Sequence, residues 1–171
     1  MTKNSEIIAI IGLMGVGKST IGSKLAEQMG YYFVDSDQEI EDFAKSSISQ
    51  IFTQKGEKYF RDIEKDIIRQ IVDRDERIVL SLGGGAFDDE QTREMLLKKA
   101  FVIYFKAPVD VILHRIGGKT NRPLLNNGNK RQILEDLIEK RSPNYVQADL
   151  AIDTSQKTHE EIISQILENF S

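Results

Sequence analysis

Apolar positions along the chain fall into two alternating patterns. Short runs dense in β-branched and aromatic residues predict strands over 7–11, 32–34, 78–82, 101–105 and 150–152. Between them, segments of helical period predict helices over 18–29, 38–45, 57–73, 89–99, 109–116, 130–140 and 158–170. Strands that alternate with helices read as crossover units, so the pattern predicts an α/β fold in three layers: a five-stranded parallel sheet with helices on both faces. The last helix is the clearest amphipath. Its Ile162, Ile163, Ile166, Leu167 and Phe170 share one face, which makes it a structural element packed on the sheet.

Composition narrows the class without naming a function. A chain of 171 residues with 40% hydrophobic content suits one domain spanning 1–171. It has no cysteine, which excludes a disulfide framework and thiolate metal sites and points to the cytoplasm. After Met1 to Glu6 only a short apolar run precedes Gly12, too short for a signal peptide or a membrane span, so no membrane partner is expected. A net charge of -4 offers no field for nucleic acid, and a monomer is expected.

One motif carries chemistry by itself. Gly12-Leu13-Met14-Gly15-Val16-Gly17-Lys18-Ser19 matches the P-loop pattern and sits between a predicted buried strand and a predicted helix. Glycines let the backbone curl so that successive N–H groups point inward, and the positive end of the next helix caps that nest. Phosphates fit it. Met14, Gly15, Val16, Gly17, Lys18, Ser19 and Thr20 are the expected ATP contacts, with Lys18 reaching the β- and γ-phosphates and Ser19 supplying one oxygen to Mg2+. The alternative is a chance match in a glycine-containing turn. A guanine-reading switch is disfavoured, because Asn129-Lys130-Arg131-Gln132 lacks the acid of the usual guanine element.

The segment over about 117–129 is polar, glycine-rich and long for a connection in so small a domain. Its Lys119 and Arg122 suggest a mobile lid over phosphate rather than a plain linker.

Four further features follow in order. Asp35-Ser36-Asp37 ends the second strand, where open α/β sheets place ligands. Gly56-Glu57-x-x-Phe60-Arg61-x-x-Glu64 comes next, then Ser81-Leu82-Gly83-Gly84-Gly85-Ala86, then Arg122-Pro123-Leu124-Leu125 together with Arg141-Ser142-Pro143-Asn144-Tyr145. With the P-loop, this series resembles the shikimate kinase family over about 7–157. The chain departs from many relatives after Tyr145, where Val146-Gln147-Ala148-Asp149 stands in place of an early acidic residue.

The resemblance implies a P-loop kinase fold and phosphorylation of the 3-hydroxyl of shikimate by Mg-ATP, giving ADP and shikimate 3-phosphate. It implies that Arg61 and Arg141 grip the acceptor carboxylate, that Gly83, Gly84 and Gly85 approach it through backbone, and that Asp37 orients and deprotonates the attacking hydroxyl. Asp35 would hold Mg2+ through its water shell, Phe52 and Phe60 would wall the ring, and Arg122 would close on the phosphates. Arg115 and Lys157 would flank the nucleotide. The acceptor region would span about 35–62.

Each assignment has a plainer rival. Arg61 has Glu57 and Glu64 at helical spacing for a surface ion pair. Arg141 falls where a helix C-terminus attracts cations. Ser36 and Glu39 form a capping box, and Asp37 then serves only the helix dipole. Arg122 could be an exposed loop arginine, Phe52 and Phe60 plain core, and Arg115 and Lys157 solvated charges. Two other functions compete: a kinase for another polyol acid such as gluconate, and a nucleotide-binding regulatory module without turnover.

Overall fold

In a computed structural model of the chain, residues 6–117 and 129–170 are described. Five strands form one parallel sheet: β1 (Ile7–Ile11), β2 (Tyr32–Asp35), β3 (Ile78–Ser81), β4 (Phe101–Lys106) and β5 (Leu150–Asp153), in the order β2-β3-β1-β4-β5. Helices follow as α1 (Lys18–Met29), α2 (Ser36–Ala44), α3 (Ile48–Lys55), α4 (Glu57–Val72), α5 (Glu90–Lys99), α6 (Val109–Ile116), α7 (Lys130–Tyr145) and α8 (His159–Phe170). The expected α/β architecture is present. None of the described helices is long and apolar enough to cross a membrane.

The central strand β1 is buried along its whole length, because both faces are covered. On α8, Ile162, Ile163 and Ile166 are buried and Phe170 packs edge-on against Phe101 of β4 at 5.5 Å. That face does what its pattern predicts.

The order of the strands reverses at β1: the chain places β2 and β3 on one side, then crosses to add β4 and β5 on the other. The crevice beyond the carboxyl ends of the strands is where such a sheet opens to ligands. The register carries Asp35 opposite Ser81, and Ser81 opposite Ile10 just before the P-loop. Three chain segments thus end side by side.

Two elements escaped the sequence pattern. The helix α3 has one short apolar stripe, but Ser47 caps it with a box: Ser47 Oγ accepts from Gln50 N at 3.1 Å and Gln50 Oε1 from Ser47 N at 3.0 Å. A 3-10 turn at Ala86–Asp88 follows the glycine run.

Two expectations need correction. The predicted Ser36–Glu39 box is absent, because Asp35 is the N-cap of α2 and accepts from Asp37 N at 3.0 Å and Gln38 N at 3.2 Å. Ser36 turns inward instead, and its Oγ accepts from Gly83 N at 3.0 Å. The helix predicted to end at Lys140 runs to Tyr145 through Pro143. Pro143 lacks the N–H that would bond Glu139 O, and Ser142 Oγ donates back to Ile138 O at 2.6 Å. Arg141 therefore lies within α7 and not at its end.

Candidate active site

The P-loop leaves β1 and enters α1 at Gly17, which caps the helix at φ 101°, a conformation that disfavours a side chain. Lys18 is buried, and its Nζ donates to Gly12 O at 2.8 Å and Leu13 O at 2.9 Å, so it lies folded against the loop it follows. Met14, Gly15, Gly17, Lys18, Ser19 and Thr20 line a cavity of about 750 Å³. Val16 is buried, its carbonyl accepting from Thr154 Oγ1 at 2.7 Å.

Beside the loop, three oxygens converge. Ser19 Oγ donates to Asp35 Oδ2 at 2.6 Å and lies 3.4 Å from Ser81 Oγ. Hydroxyl and carboxylate oxygens are the hard donors that a small divalent cation prefers. No group of three or more His, Cys, Asp or Glu among the described residues forms a closed cation cage. Such a set suits a cation held mostly by phosphate and water.

The same cavity continues into a second chamber lined by Asp37, Phe52, Phe60, Arg61, Glu64, Gly83, Gly84, Gly85 and Arg141. Phe52 and Phe60 make one wall, with ring centroids 4.9 Å apart, and the Arg61 guanidinium lies 5.1 Å from the Phe60 ring. The three glycines form the floor, each facing a different side chain. A Cβ would stand 2.5 Å from Asp37 Oδ1 at Gly83, 3.0 Å from Arg141 Nη1 at Gly84, and 2.5 Å from Arg61 Nη2 at Gly85. None of the three has the positive φ that would demand glycine; proximity to the functional groups demands it instead.

Both arginines are held from behind. Arg61 Nη1 donates to Glu64 Oε1 at 2.8 Å, with Glu57 farther away at 3.8 Å. The rival ion pairs are thus real, yet they do not take Arg61 to the surface: Glu64 is buried and Arg61 still lines the chamber. Burial pushes the Glu64 carboxyl up to about 7. Arg141 is 2% exposed, and its Nε donates to Asp88 Oδ2 at 3.2 Å. Its buried Nη1 meets no hydrogen-bond acceptor among the described residues. A buried N–H in that condition costs about 1–3 kcal/mol, which an incoming anion offsets.

Tyr145 completes the support. Its hydroxyl donates to Gly84 O at 2.6 Å, and burial raises its pKa, so the donor proton stays in place. Ser81, Asp88 and Tyr145 join the site with no role expected of them from the sequence, and Glu64, expected only as a surface ion-pair partner of Arg61, joins it as a buried one. Glu64 and Tyr145 stand at the ends of their motifs, which was the available signal; for Asp88 there was none.

Two expected nucleotide residues stand outside the lining of this cavity. Arg115 Nη1 donates to Gly15 O at 3.2 Å and its Nη2 to Thr154 O at 3.3 Å, tying the back of the P-loop to the segment after β5. Lys157 is exposed and bonds Gln165 of α8. Neither lines the cavity in this structure. Arg122 and the lid fall outside the described residues.

A parallel sheet of this order, a P-loop and a walled second chamber with paired arginines define a P-loop kinase for a small anionic acceptor. The model of the family described as shikimate kinase matches residues 14–171. A shikimate kinase of Zymomonas mobilis is 43% identical over 160 residues, covering 94% of this chain and 90% of the relative. One from Novosphingobium aromaticivorans is 42% identical over 163 residues, covering 94% and 84%. The solved structure of a shikimate kinase from Acinetobacter baumannii in complex with shikimate superposes with a TM-score of 0.91 at 37% identity, covering 96% of this chain and 92% of that one. The chain belongs to the shikimate kinase family, and it is a kinase that transfers phosphate to a shikimate hydroxyl.

Proposed function

We propose that the two chambers divide the reaction between them, with ATP phosphates on the P-loop and shikimate over the glycine floor. The unpartnered Arg141 Nη1, buried and turned toward Gly84, is the observation that carries this reading. A carboxylate placed there bonds that nitrogen and the fork of Arg61, and charge-assisted bonds of this kind contribute about 1.5–3 kcal/mol each. With the carboxylate gripped, the ring lies against Phe52 and Phe60 and its 3-hydroxyl reaches Asp37.

Asp37 accepts the hydroxyl proton and aligns the oxygen for in-line attack, while Lys18 leaves its loop carbonyls for the transferred phosphate. Ser19 and Asp35 are the residues that would hold Mg2+, which when bound supplies charge neutralisation between the β- and γ-phosphates. Arg122 is proposed to cover the phosphates from the lid, and Arg115 and Lys157 to contact the nucleotide. One domain acting as a cytoplasmic monomer is sufficient for this chemistry.

The test is a shikimate-dependent assay of ADP release. Turnover should require Mg2+, stop on chelation and return when Mg2+ is restored. Arg61→Leu should raise the shikimate KM by roughly tenfold to a hundredfold with the ATP KM within about twofold. An unchanged shikimate KM would remove Arg61 from the acceptor site.

Gly85→Ala probes the same contact from the floor. The new Cβ pushes the Arg61 guanidinium aside, so the shikimate KM should rise about tenfold, and because that guanidinium is paired with buried Glu64 the Tm should fall as well. A normal shikimate KM would mean that Arg61 does not govern that position.

A further inference from the structure

Among the described residues, Glu64 is the one fully buried carboxylate, 3% exposed. One of its oxygens takes Arg61 Nη1 at 2.8 Å; the other, Oε2, is buried with no hydrogen-bond partner among the described residues and lies 3.2 Å from where a Cβ on Gly83 would stand. Glu64 therefore looks into the chamber floor beside Asp37 while occupying the guanidinium that the acceptor needs.

The charged groups around it are few. Arg61 lies on its own helix, Asp37 faces it from α2 and Arg141 from α7. The 3-10 turn adds Asp88, which is tied to Arg141, and Asp89, the N-cap of α5, pairs with Lys65 instead. From α2, Glu41 also lines the cavity, but it accepts from Ile48 N. The α3 residues that line the cavity, Ile48, Ser49 and Phe52, carry no charge.

We infer that Glu64 is a positioning residue whose protonation is coupled to acceptor binding: Arg61 serves Glu64 in the free site and the acceptor carboxylate in the occupied one, and Glu64 takes up a proton from solvent as shikimate binds. This rests on the proposed function. The acceptor brings a second carboxylate to one guanidinium in an enclosed pocket that already holds Asp37. Two carboxylates sharing such a site cannot both stay ionised cheaply, so the proton affinity of one rises. Glu64 is the one that responds, because burial has already pushed its carboxyl up to about 7. Once protonated, it keeps its place behind Arg61 without competing for charge.

The sign follows from linkage. Glu64 holds its proton more tightly in the complex than in the free protein, so binding takes up protons between those two pKa values. Shikimate affinity should be flat below neutral pH and fall as pH rises above about 7, by at most tenfold per pH unit.

Calorimetry of shikimate binding at pH 7.5, in two buffers of different ionisation enthalpy, reads the coupling directly. The wild-type protein should take up roughly half a proton or more per site, and Kd should rise about five- to fifteenfold between pH 7 and pH 8.5. Glu64→Gln should bind with neither proton uptake nor that pH dependence. Binding without uptake in the wild type, or equal uptake in the variant, overturns the inference alone. If shikimate gives no binding at any pH, the functional reading falls and the inference falls with it.

Discussion

Lys18→Met is expected to lower kcat by about 10³-fold with little loss of folded protein. The ammonium is a point charge that matters most when negative charge gathers on the transferred phosphoryl group. In the structure it donates to Gly12 O and Leu13 O. Methionine keeps the buried stem and leaves those two carbonyls without that donor, at about 1 kcal/mol each. For a chain of this size that lowers Tm by only several degrees. Steady-state ADP release and a thermal melt measure the two effects separately. A kcat within tenfold of wild type would mean that the lysine is a structural clip for the loop and little more.

The second large effect is Asp37→Asn, expected to reduce kcat by 10²- to 10⁴-fold while the ATP KM stays within about threefold. Asparagine fills the same space above Gly83 but cannot accept the hydroxyl proton. This variant also decides between the two roles open to Asp37. If the carboxylate only favours the N-terminus of α2, the change costs no more than about 1 kcal/mol of stability and leaves turnover intact. Asp35 receives the first N–H groups of α2 while Asp37 stands in its first turn, so the kinetic result is what separates the two roles. Single-turnover phosphate transfer with shikimate would separate chemistry from product release, and a normal rate there would remove Asp37 from the chemical step.

Much of the fold was legible from periodicity because the signals were local. The run from Ile7 to Ile11 is buried throughout, and α1 and α6 begin and end where the pattern placed them. The misses were also local in cause. The short α3 offers a single stripe and depends on its Ser47 cap, while α7 continues through Pro143, where proline usually signals an end. Ser36 looked like a cap by spacing, yet it bonds Gly83, 47 residues away.

The sequence by itself determined the alternation of strand and helix, the phosphate loop and the residue types of the acceptor site, since each rests on spacing within one short segment. Tertiary structure alone decided what those residues face. It set Gly83, Gly84 and Gly85 against Asp37, Arg141 and Arg61, put Asp88 and Tyr145 behind the arginine and the glycine carbonyl, and buried Glu64 next to its competitor's binding place. Proximity between groups distant along the chain, and the loss of water around them, arise only when the sheet brings its carboxyl ends together, and those two conditions govern the charge and reach of every group in the site.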